Sequence, residues 1–193
     1  MSRCAVLIMA AGRSRRFGLD NKLLAPYRKS SILQHSLDQA RAVFNEHVYL
    51  VTGCYHQDIQ ESIQGGTLIY NPDWAQGLGS SIAMGVSKLA DRYDGVLIVL
   101  GDQVAIESEQ LASLQQDFTG RNIVCAYYQH RAGVPAIFPR QCFAYLQMLK
   151  GDQGARDLLN GSVSGVEVEI IKRVMPSASI DIDTVGDLAT ISG

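Results

Sequence analysis

A cluster of small and cationic residues follows an apolar segment near the start of the chain. Residues 6–9 are all apolar, and they lead into small residues and then cations: Ala10, Ala11, Gly12, Arg13, Arg15, Arg16 and Lys22. Small residues let backbone N–H groups approach an anion closely. Guanidinium groups match phosphate oxygens in a fork geometry, and a lysine adds a compact positive charge. This segment therefore predicts a site for a polyanionic, phosphate-bearing ligand.

Two common phosphate-binding motifs do not fit the spacing of the glycines. A P-loop has four residues between its glycines and a lysine after the second, whereas five residues separate Gly12 from Gly18 and a leucine follows. The dinucleotide fingerprint G-x-G-x-x-G is also missing, because Ile82 stands at the third glycine position after Gly77 and Gly79. The sequence therefore favours neither a P-loop kinase nor a Rossmann dehydrogenase.

Carboxylates in two later segments offer ligands for a metal ion. An apolar strand at 97–100 runs into Asp102, which would lie at the same sheet edge as Gly12 if the two strands are parallel neighbours. Asp181 and Asp183 alternate with isoleucines, so both carboxylates face one side of an extended segment. Mg²⁺ prefers oxygen ligands and bridges carboxylates to nucleotide phosphates. We expect Asp102 to bind Mg²⁺, with helix capping as the alternative role for Asp102 and for Asp183 or Thr184.

Glycines and hydroxyls are combined between these segments, at residues 71–86. Gly79 permits close approach of the backbone, and Ser80 and Ser81 offer hydroxyls and a helix start. We expect Gly79 and Ser81 to contact the base or the ribose of a nucleotide. Trp74 is interpreted as a packing anchor in preference to a stacking platform.

Alternating strands and helices must position these residues. The apolar patterns predict strands at 6–9, 47–51, 67–70, 95–100, 122–127 and 166–171, and helices at 32–44, 56–64, 80–89, 108–118, 142–149, 155–159 and 186–191. Residues 132–139 look like a strand but contain two prolines, so we expect them at a sheet edge or a bend. The pattern predicts βαβ units, a largely parallel sheet and a single α/β domain over residues 1–193.

The composition narrows the classes of partner and compartment. Seventeen basic and 19 acidic residues among 193 give a net charge of −2, so no overall basic field favours nucleic acid. No segment reaches the roughly 18 to 20 apolar residues of a membrane span, and the first apolar run is too short for a signal peptide. We therefore expect a cytoplasmic protein without membrane contact. The dispersed cysteines are expected to be reduced and packed, and the four histidines show no metal-ligand spacing.

The segment from Ala10 to Lys22 resembles the nucleotidyltransferase signature, in which L-A-A-G-x-x-x-R-[M/F]-G precedes a lysine. The matching positions are Ala10, Ala11, Gly12, Arg16, Phe17, Gly18 and Lys22, and Ser14 fits a narrower branch. Residues 71–86 and 151–159 resemble the molybdenum-cofactor cytidylyltransferase branch of the MobA-like family. The resemblance extends in five blocks over nearly the whole chain. It implies a Rossmann-like, three-layer α/β/α sandwich with a mostly parallel sheet.

The resemblance also implies a reaction. A phosphate of an acceptor, with molybdopterin the leading candidate, would receive CMP from CTP in a Mg²⁺-dependent step that releases pyrophosphate. Arg16 and Lys22 would hold the triphosphate, and Asp102 and Asp183 would hold Mg²⁺. The nucleotide contacts would come from Ala10, Ala11, Gly12, Arg13, Ser14, Gly79 and Ser81. A transient molybdoenzyme or chaperone would be a further partner.

Some positions depart from the family pattern and leave alternatives open. Val134 stands where the family often has His or Asn, in a region associated with the acceptor, and Val104 replaces a usual Pro. Val185 and Gly186 replace Pro and Glu after Asp183. A second hypothesis is that the acceptor is methylerythritol phosphate or a sugar phosphate. A third is that the protein binds nucleotide or molybdenum cofactor without catalysing a reaction. The A-A-G form favours CTP over GTP.

Overall fold

A central sheet with helices on both faces organises the part of the chain that the computed structural model describes, residues 3–13 and 21–182. The strands are β1 (Cys4–Ala10), β2 (Pro26–Tyr27), β3 (Ser30–Ser31), β4 (Val48–Thr52), β5 (Thr67–Tyr70), β6 (Gly95–Leu100), β7 (Ile123–Tyr128), β8 (Arg131–Pro139) and β9 (Ile170–Val174). The helices are α1 (Ile32–Phe44), α2 (His56–Ser62), α3 (Leu78–Leu89), α4 (Ser108–Asp117), α5 (Phe143–Gln147) and α6 (Arg156–Leu159).

The order of the strands places two predicted segments side by side. Within the described ranges the main sheet runs β5-β4-β1-β6-β8-β7-β9, and β2 and β3 form a separate hairpin. Strand β1 pairs in parallel with β4 and with β6, and Met9 lies opposite Leu100. The Gly12 loop and Asp102 therefore leave parallel neighbours at the same sheet edge, and that expectation is confirmed.

Helices cover both faces of the sheet, and β1 is therefore buried along its whole length. Val6 and Ile8 pack into a cluster with residues of α1 and α4, whereas Leu7 and Met9 pack into a second cluster with residues of α3 and α5. This alternation is the strand period of two, and each fully buried Leu or Ile contributes about 1.5–3 kcal/mol. The predicted three-layer α/β/α sandwich with a mostly parallel sheet is confirmed.

Strand β8 corrects one prediction. It was expected at an edge or bend, yet it lies inside the sheet and pairs antiparallel with both β6 and β7. Its prolines are tolerated because of where they stand. Pro135 lies in an irregularity, where Cys125 pairs with Ala136 and the next residue of β7 pairs with Gly133. Pro139 is the last residue of the strand, so neither proline interrupts a regular ladder.

The other predicted elements agree with the structure to within a few residues, with two exceptions. The strand predicted at 166–171 begins later, as β9, and lies at an edge of the sheet beside β7. The helix predicted at 186–191 lies outside the described residues. The hairpin of β2 and β3 was not predicted, because strands of two residues leave no period in the sequence. No helix of residues 3–13 and 21–182 is long and apolar enough to cross a membrane.

The cysteines behave as packing residues. Cys4, Cys125 and Cys142 are buried, and Cys54 is half-buried. Burial raises the pKa of Cys4 and Cys142 to about 12 and that of Cys125 to about 11. Because the thiolate is the reactive form, these three thiols are poor nucleophiles and poor metal ligands at neutral pH.

Candidate active site

A cavity of about 590 Å³ opens at the carboxyl edge of the sheet, between the ends of β1 and β6 and the start of α3. It is lined by residues of the Ala10–Arg13 loop, the turn that begins at Lys22, the first turn of α3, Asp102 and Asp152. Open α/β sheets bind ligands at this edge, outside the carboxyl ends of their strands. The structure therefore brings most of the predicted site residues to one cavity.

Lys22 and Asp102 meet inside this cavity although they are 80 residues apart in the chain. The ammonium donates to Oδ2 of Asp102 at 2.7 Å, and the two side chains are only 12% and 19% exposed. A single helical turn, Lys22–Leu24, presents the lysine, and the Asn21 side chain caps that turn by accepting from the Leu23 N–H. An ammonium has three donor hydrogens, so Lys22 can hold Asp102 and a phosphate oxygen together.

The loop that carries Asp102 is held from behind. The Gly101 N–H donates to the Met9 carbonyl at 3.1 Å, which extends the ladder between β1 and β6 by one step. The buried Ser36 hydroxyl, on α1, donates to the Gly101 carbonyl at 3.2 Å. A Cβ on Gly101 would lie 3.1 Å from both the Met9 carbonyl oxygen and Leu33 Cδ1, so the loop packs closely there. These contacts fix the position of the carboxylate before any ligand binds.

Gln103 ties a distant segment of the chain to the same loop. Its side chain is 1% exposed, and its amide donates to the carbonyls of Val134 and Ala178 at 3.2 and 3.0 Å. Ile182, further along that segment, is fully buried in the apolar cluster that contains Val104. The chain leading toward Asp183 is therefore anchored beside Asp102.

The second metal ligand was predicted to be Asp183, with Asp181 as the alternative. Asp183 lies outside the described residues, so its role stays a prediction. Asp181 is exposed and lies close enough to Tyr128 to affect its ionisation. Burial, partly opposed by nearby Arg131 and reinforced by Asp181, raises the pKa of Tyr128. Ser14 and Arg16 also lie outside the described residues.

The loop after β1 presents backbone to the cavity. Ala10 and Ala11 are buried, and the Ala11 carbonyl accepts from the Cys54 N–H at 3.1 Å. Gly12 and Arg13 are exposed. A Cβ on Gly12 would meet no described atom within 4 Å, so packing does not require a glycine there. As far as the described residues extend, the space beside Gly12 is available to a ligand.

Ser81 lines the cavity and is held by Asn71, a residue to which sequence reasoning assigned no role. Asn71 is 1% exposed, and its amide donates to Ser80 Oγ at 3.0 Å and to Ser81 Oγ at 2.9 Å. Ser80 Oγ in turn donates to the Gly77 carbonyl at 2.9 Å. Since Ser81 accepts from Asn71, its own hydroxyl hydrogen can point to a ligand.

The glycines of this segment dock two loops against each other. The Gly79 N–H donates to the Gly151 carbonyl at 2.8 Å, and a Cβ on Gly79 would lie 2.8 Å from the Lys150 backbone. Gly77 has a φ of +111°, and a Cβ there would lie 2.4 Å from Gly151. The structure thus places Gly79 behind the cavity wall, in contact with the turn at 150–153. Its predicted contact with nucleotide is not part of this geometry and stays a prediction.

Trp74 and Asp152 also line the cavity. Trp74 is half-buried and packs on Gly53, because a Cβ added to Gly53 would lie only 2.4 Å from the Cβ of Trp74. Trp74 is therefore both the expected packing anchor and part of the cavity wall. Asp152 was not assigned a role from the sequence. The resemblance of residues 151–159 to the family drew attention to this segment. Only the docking of the turn at 150–153 onto α3 brings the Asp152 carboxylate to the cavity.

A buried histidine lies beneath the Asp102 loop. His35 is 8% exposed, and its ring packs edge-on against Tyr27 at 5.0 Å between centroids. Nε2 of His35 is buried and has no hydrogen-bond partner among the described atoms. Burial, together with the nearby Arg28, lowers the pKa of His35, with Glu107 opposing. The imidazole is therefore kept neutral under the site.

Comparison with known proteins places this architecture among the nucleotidyltransferases. Residues 6–168 match the MobA-like NTP transferase domain, and the chain belongs to that family. The purine catabolism protein PucB of Bacillus subtilis is 30% identical over 82% of this chain and 82% of its own. The molybdenum cofactor cytidylyltransferase of Escherichia coli is 27% identical over 98% of this chain and 96% of its own.

A solved structure shares the fold over nearly its whole length. The crystal structure of Rv0371c from Mycobacterium tuberculosis superposes with a TM-score of 0.80 at 25% identity, over 98% of this chain and 97% of that chain. The two relatives named above carry different roles in their names. The comparisons therefore identify the family and the reaction class, and they leave the nucleotide and the acceptor to be argued separately.

Proposed function

We propose that this chain transfers CMP from CTP to a phosphorylated acceptor, with molybdopterin as the preferred acceptor, in a Mg²⁺-dependent reaction that releases pyrophosphate. The observation that carries the proposal is the single cavity shared by the Gly12 loop and the Lys22–Asp102 pair. Both substrates are anionic, so a site for this reaction must neutralise charge and align the reactants.

The residues of the cavity fit a Mg²⁺ ion. Asp102 supplies a partly buried carboxylate, of which Oδ2 accepts from Lys22. Proteins usually hold Mg²⁺ through one or two carboxylates, with substrate phosphates and waters completing the octahedron. No group of three or more His, Cys, Asp or Glu that could hold a metal occurs within residues 3–13 and 21–182, and the predicted second ligand, Asp183, lies outside them. When bound there, Mg²⁺ would neutralise charge on the phosphates.

The chain's own residues perform positioning and charge neutralisation in this mechanism. An acceptor phosphate oxygen forms a bond to the α-phosphorus of the triphosphate, and the bond from that phosphorus to the pyrophosphate oxygen breaks. Lys22 and Arg13 supply positive charge, and the backbone at Gly12 approaches the phosphates. Ser81 offers a hydroxyl to the nucleoside. No protein nucleophile is needed, because the acceptor is itself the nucleophile.

The choice of CTP and molybdopterin rests on relatedness and on the A-A-G form of the first loop. The Escherichia coli relative acts, by its name, as a molybdenum cofactor cytidylyltransferase, and it aligns over nearly the full length of both chains. The Bacillus subtilis relative is named for purine catabolism, so acceptors other than molybdopterin belong in the test.

Pyrophosphate release tests the proposal. The four nucleoside triphosphates are each mixed with molybdopterin, molybdenum cofactor, methylerythritol phosphate or a sugar phosphate, with and without Mg²⁺. We expect release to require Mg²⁺ and to be fastest with CTP and molybdopterin or its molybdenum-loaded form. Release with another acceptor would overturn the assignment of the acceptor. No release from any pair, with nucleotide still bound, would favour a non-catalytic binding protein.

A further inference from the structure

One charged residue that lines the cavity, Asp152, has no role in the proposed mechanism. Among the described residues that line the cavity, the ionisable ones are Arg13, Lys22, Asp102 and Asp152. Lys22 and Asp102 bind each other. Asp152 is exposed to the cavity, and within the described chain its carboxylate accepts no hydrogen bond and forms no ion pair. Its oxygens are therefore available to a ligand.

The turn that carries Asp152 is held in a fixed place. Gly79 donates to the Gly151 carbonyl, and the Gln153 N–H closes the turn onto the Lys150 carbonyl at 3.2 Å. Gly77 has a φ of +111°, and a Cβ there would lie 2.4 Å from the Gly151 backbone and 2.6 Å from Oδ1 of Asp152, so a glycine at this position lets the turn that carries the carboxylate pack against the start of α3. The carboxylate thus belongs to the same wall as Leu78 and Ser81, and not to a free surface loop.

Charge decides which part of a nucleotide such a carboxylate can face. A carboxylate repels a triphosphate, and the effect is strengthened in a partly desolvated cavity. An ionised carboxylate also accepts hydrogen bonds but cannot donate them. Its partner must therefore carry N–H or O–H donors and little negative charge. The nucleoside has both kinds of donor, in the ribose hydroxyls and in the amino group of cytosine, adenine or guanine.

We propose that Asp152 reads the nucleoside of the bound triphosphate by accepting hydrogen bonds from its ribose hydroxyls or its base amino group. This inference deepens the proposed function and rests on its nucleotide site. Asp152 is then a specificity-determining residue in the same cavity as the cations proposed to hold the phosphates. It favours nucleosides that present donors at that position.

Calorimetric binding of α,β-methylene CTP with Mg²⁺ tests the inference without requiring turnover. The Asp152→Asn variant is compared with Asp73→Asn, which removes a negative charge from a neighbouring exposed loop whose aspartate does not line the cavity. We expect Asp152→Asn to weaken binding about tenfold to hundredfold, which is the range for a hydrogen bond to a charged group. Asp73→Asn should bind within about twofold of the wild type. Thermal unfolding confirms that both variants are folded.

The sign of the change separates the outcomes. If Asp152 contacts nothing on the nucleotide, removing its charge relieves repulsion, and binding becomes tighter or stays the same, which overturns the inference. An unchanged nucleotide affinity combined with a raised KM for the acceptor also overturns it. Wild-type protein that binds no nucleotide would instead contradict the proposed function itself.

Nucleotide analogues identify the donor. If the ribose is read, the 2′-deoxy or 3′-deoxy analogue binds the wild type more weakly and the Asp152→Asn variant no differently from the parent nucleotide. If the base amino group is read, UTP analogues, which lack that group, bind the wild type more weakly and the Asp152→Asn variant as well as the parent nucleotide does. The deoxy analogues then show no such difference. Either result supports the inference, whereas equal discrimination by the wild type and the variant contradicts it.

Discussion

Polar side chains bind one another at the amino ends of the central strands, whereas at the carboxyl ends they line a cavity. At the amino ends of β1, β4 and β6, the Tyr93 hydroxyl lies 2.8 Å from the Tyr49 hydroxyl and 3.0 Å from His47 Nδ1. Two guanidiniums, from Arg3 and Arg92, lie 5.5 Å from the Tyr93 ring centroid. Burial, and then the bond with Tyr49, raises the pKa of Tyr93 to about 12.

At the carboxyl ends of the same strands, polar groups are supported from behind and open in front. Asn71 holds Ser81, and Ser36 holds the Gly101 carbonyl, while Ser81 and Asp102 face the cavity. Lys22 and Asp102 also pair with each other there, but both line the cavity, whereas Tyr49, Tyr93 and His47 do not. The difference between the two polar clusters is therefore access to the cavity.

The largest expected effect is at Asp102. Asp102→Asn removes the charge that holds Lys22 and that would bind Mg²⁺, so we expect turnover to fall about 10²- to 10³-fold. Pyrophosphate release under saturating substrates measures the effect, and Asp91→Asn, an exposed aspartate away from the cavity, is the control. Turnover within threefold of the wild type would remove Asp102 from the site.

Lys22→Ala should have the next largest effect. The ammonium is proposed to neutralise phosphate charge, so kcat/KM for the nucleotide should fall about ten- to hundredfold. Lys29→Ala provides the control, because Lys29 is exposed on the β2–β3 hairpin and lies outside the cavity. Equal kinetic constants for the two variants would remove Lys22 from the proposed nucleotide site.

The amino end should respond in stability and not in turnover. Tyr93→Phe leaves the Tyr49 hydroxyl and His47 without their shared partner, and we expect the free energy of unfolding to fall by about 1–2 kcal/mol. Urea unfolding measures the change, and pyrophosphate release measured on the same preparation should be unaltered. A loss of activity larger than the loss of folded protein would contradict the division between the two ends.

The smallest effect concerns pH. Burial lowers the pKa of His35 below its unfolded value near 6.5, so the unfolded chain binds a proton first as the solution is acidified. The free energy of unfolding therefore decreases as the pH falls below about 6.5, because the folded state disfavours protonated His35. One group can change it by at most about 1.4 kcal/mol per pH unit. His35→Gln should flatten the dependence of unfolding free energy on pH below about pH 6.5. An unchanged slope would show that other groups cause it.

The sequence predicted the alternating elements because long apolar periods decide them. The position of β8 could not be predicted, since the rule that excludes proline from inner strands assumes a regular ladder, and Pro135 lies where that ladder shifts. The Gly12 loop and Asp102 could be placed together from topology alone. The role of Asn71 could not be predicted, because its bonds to Ser80 and Ser81 depend on how the loop after β5 folds back on the start of α3. The place of Asp152 could not, because it depends on how Gly77 and Gly79 dock the turn at 150–153 onto α3.

Gln103 has a thermodynamic consequence for substrate binding. Both hydrogens of one buried amide bind carbonyls on separate segments, at Val134 and Ala178, and its oxygen accepts from the Leu100 N–H. Any shift of the Asp102 loop against either segment would leave buried polar groups unpaired, at a cost of about 1–3 kcal/mol each. The conformational entropy of the Asp102 loop is therefore lost during folding, so Asp102 is already ordered before any ligand enters the cavity.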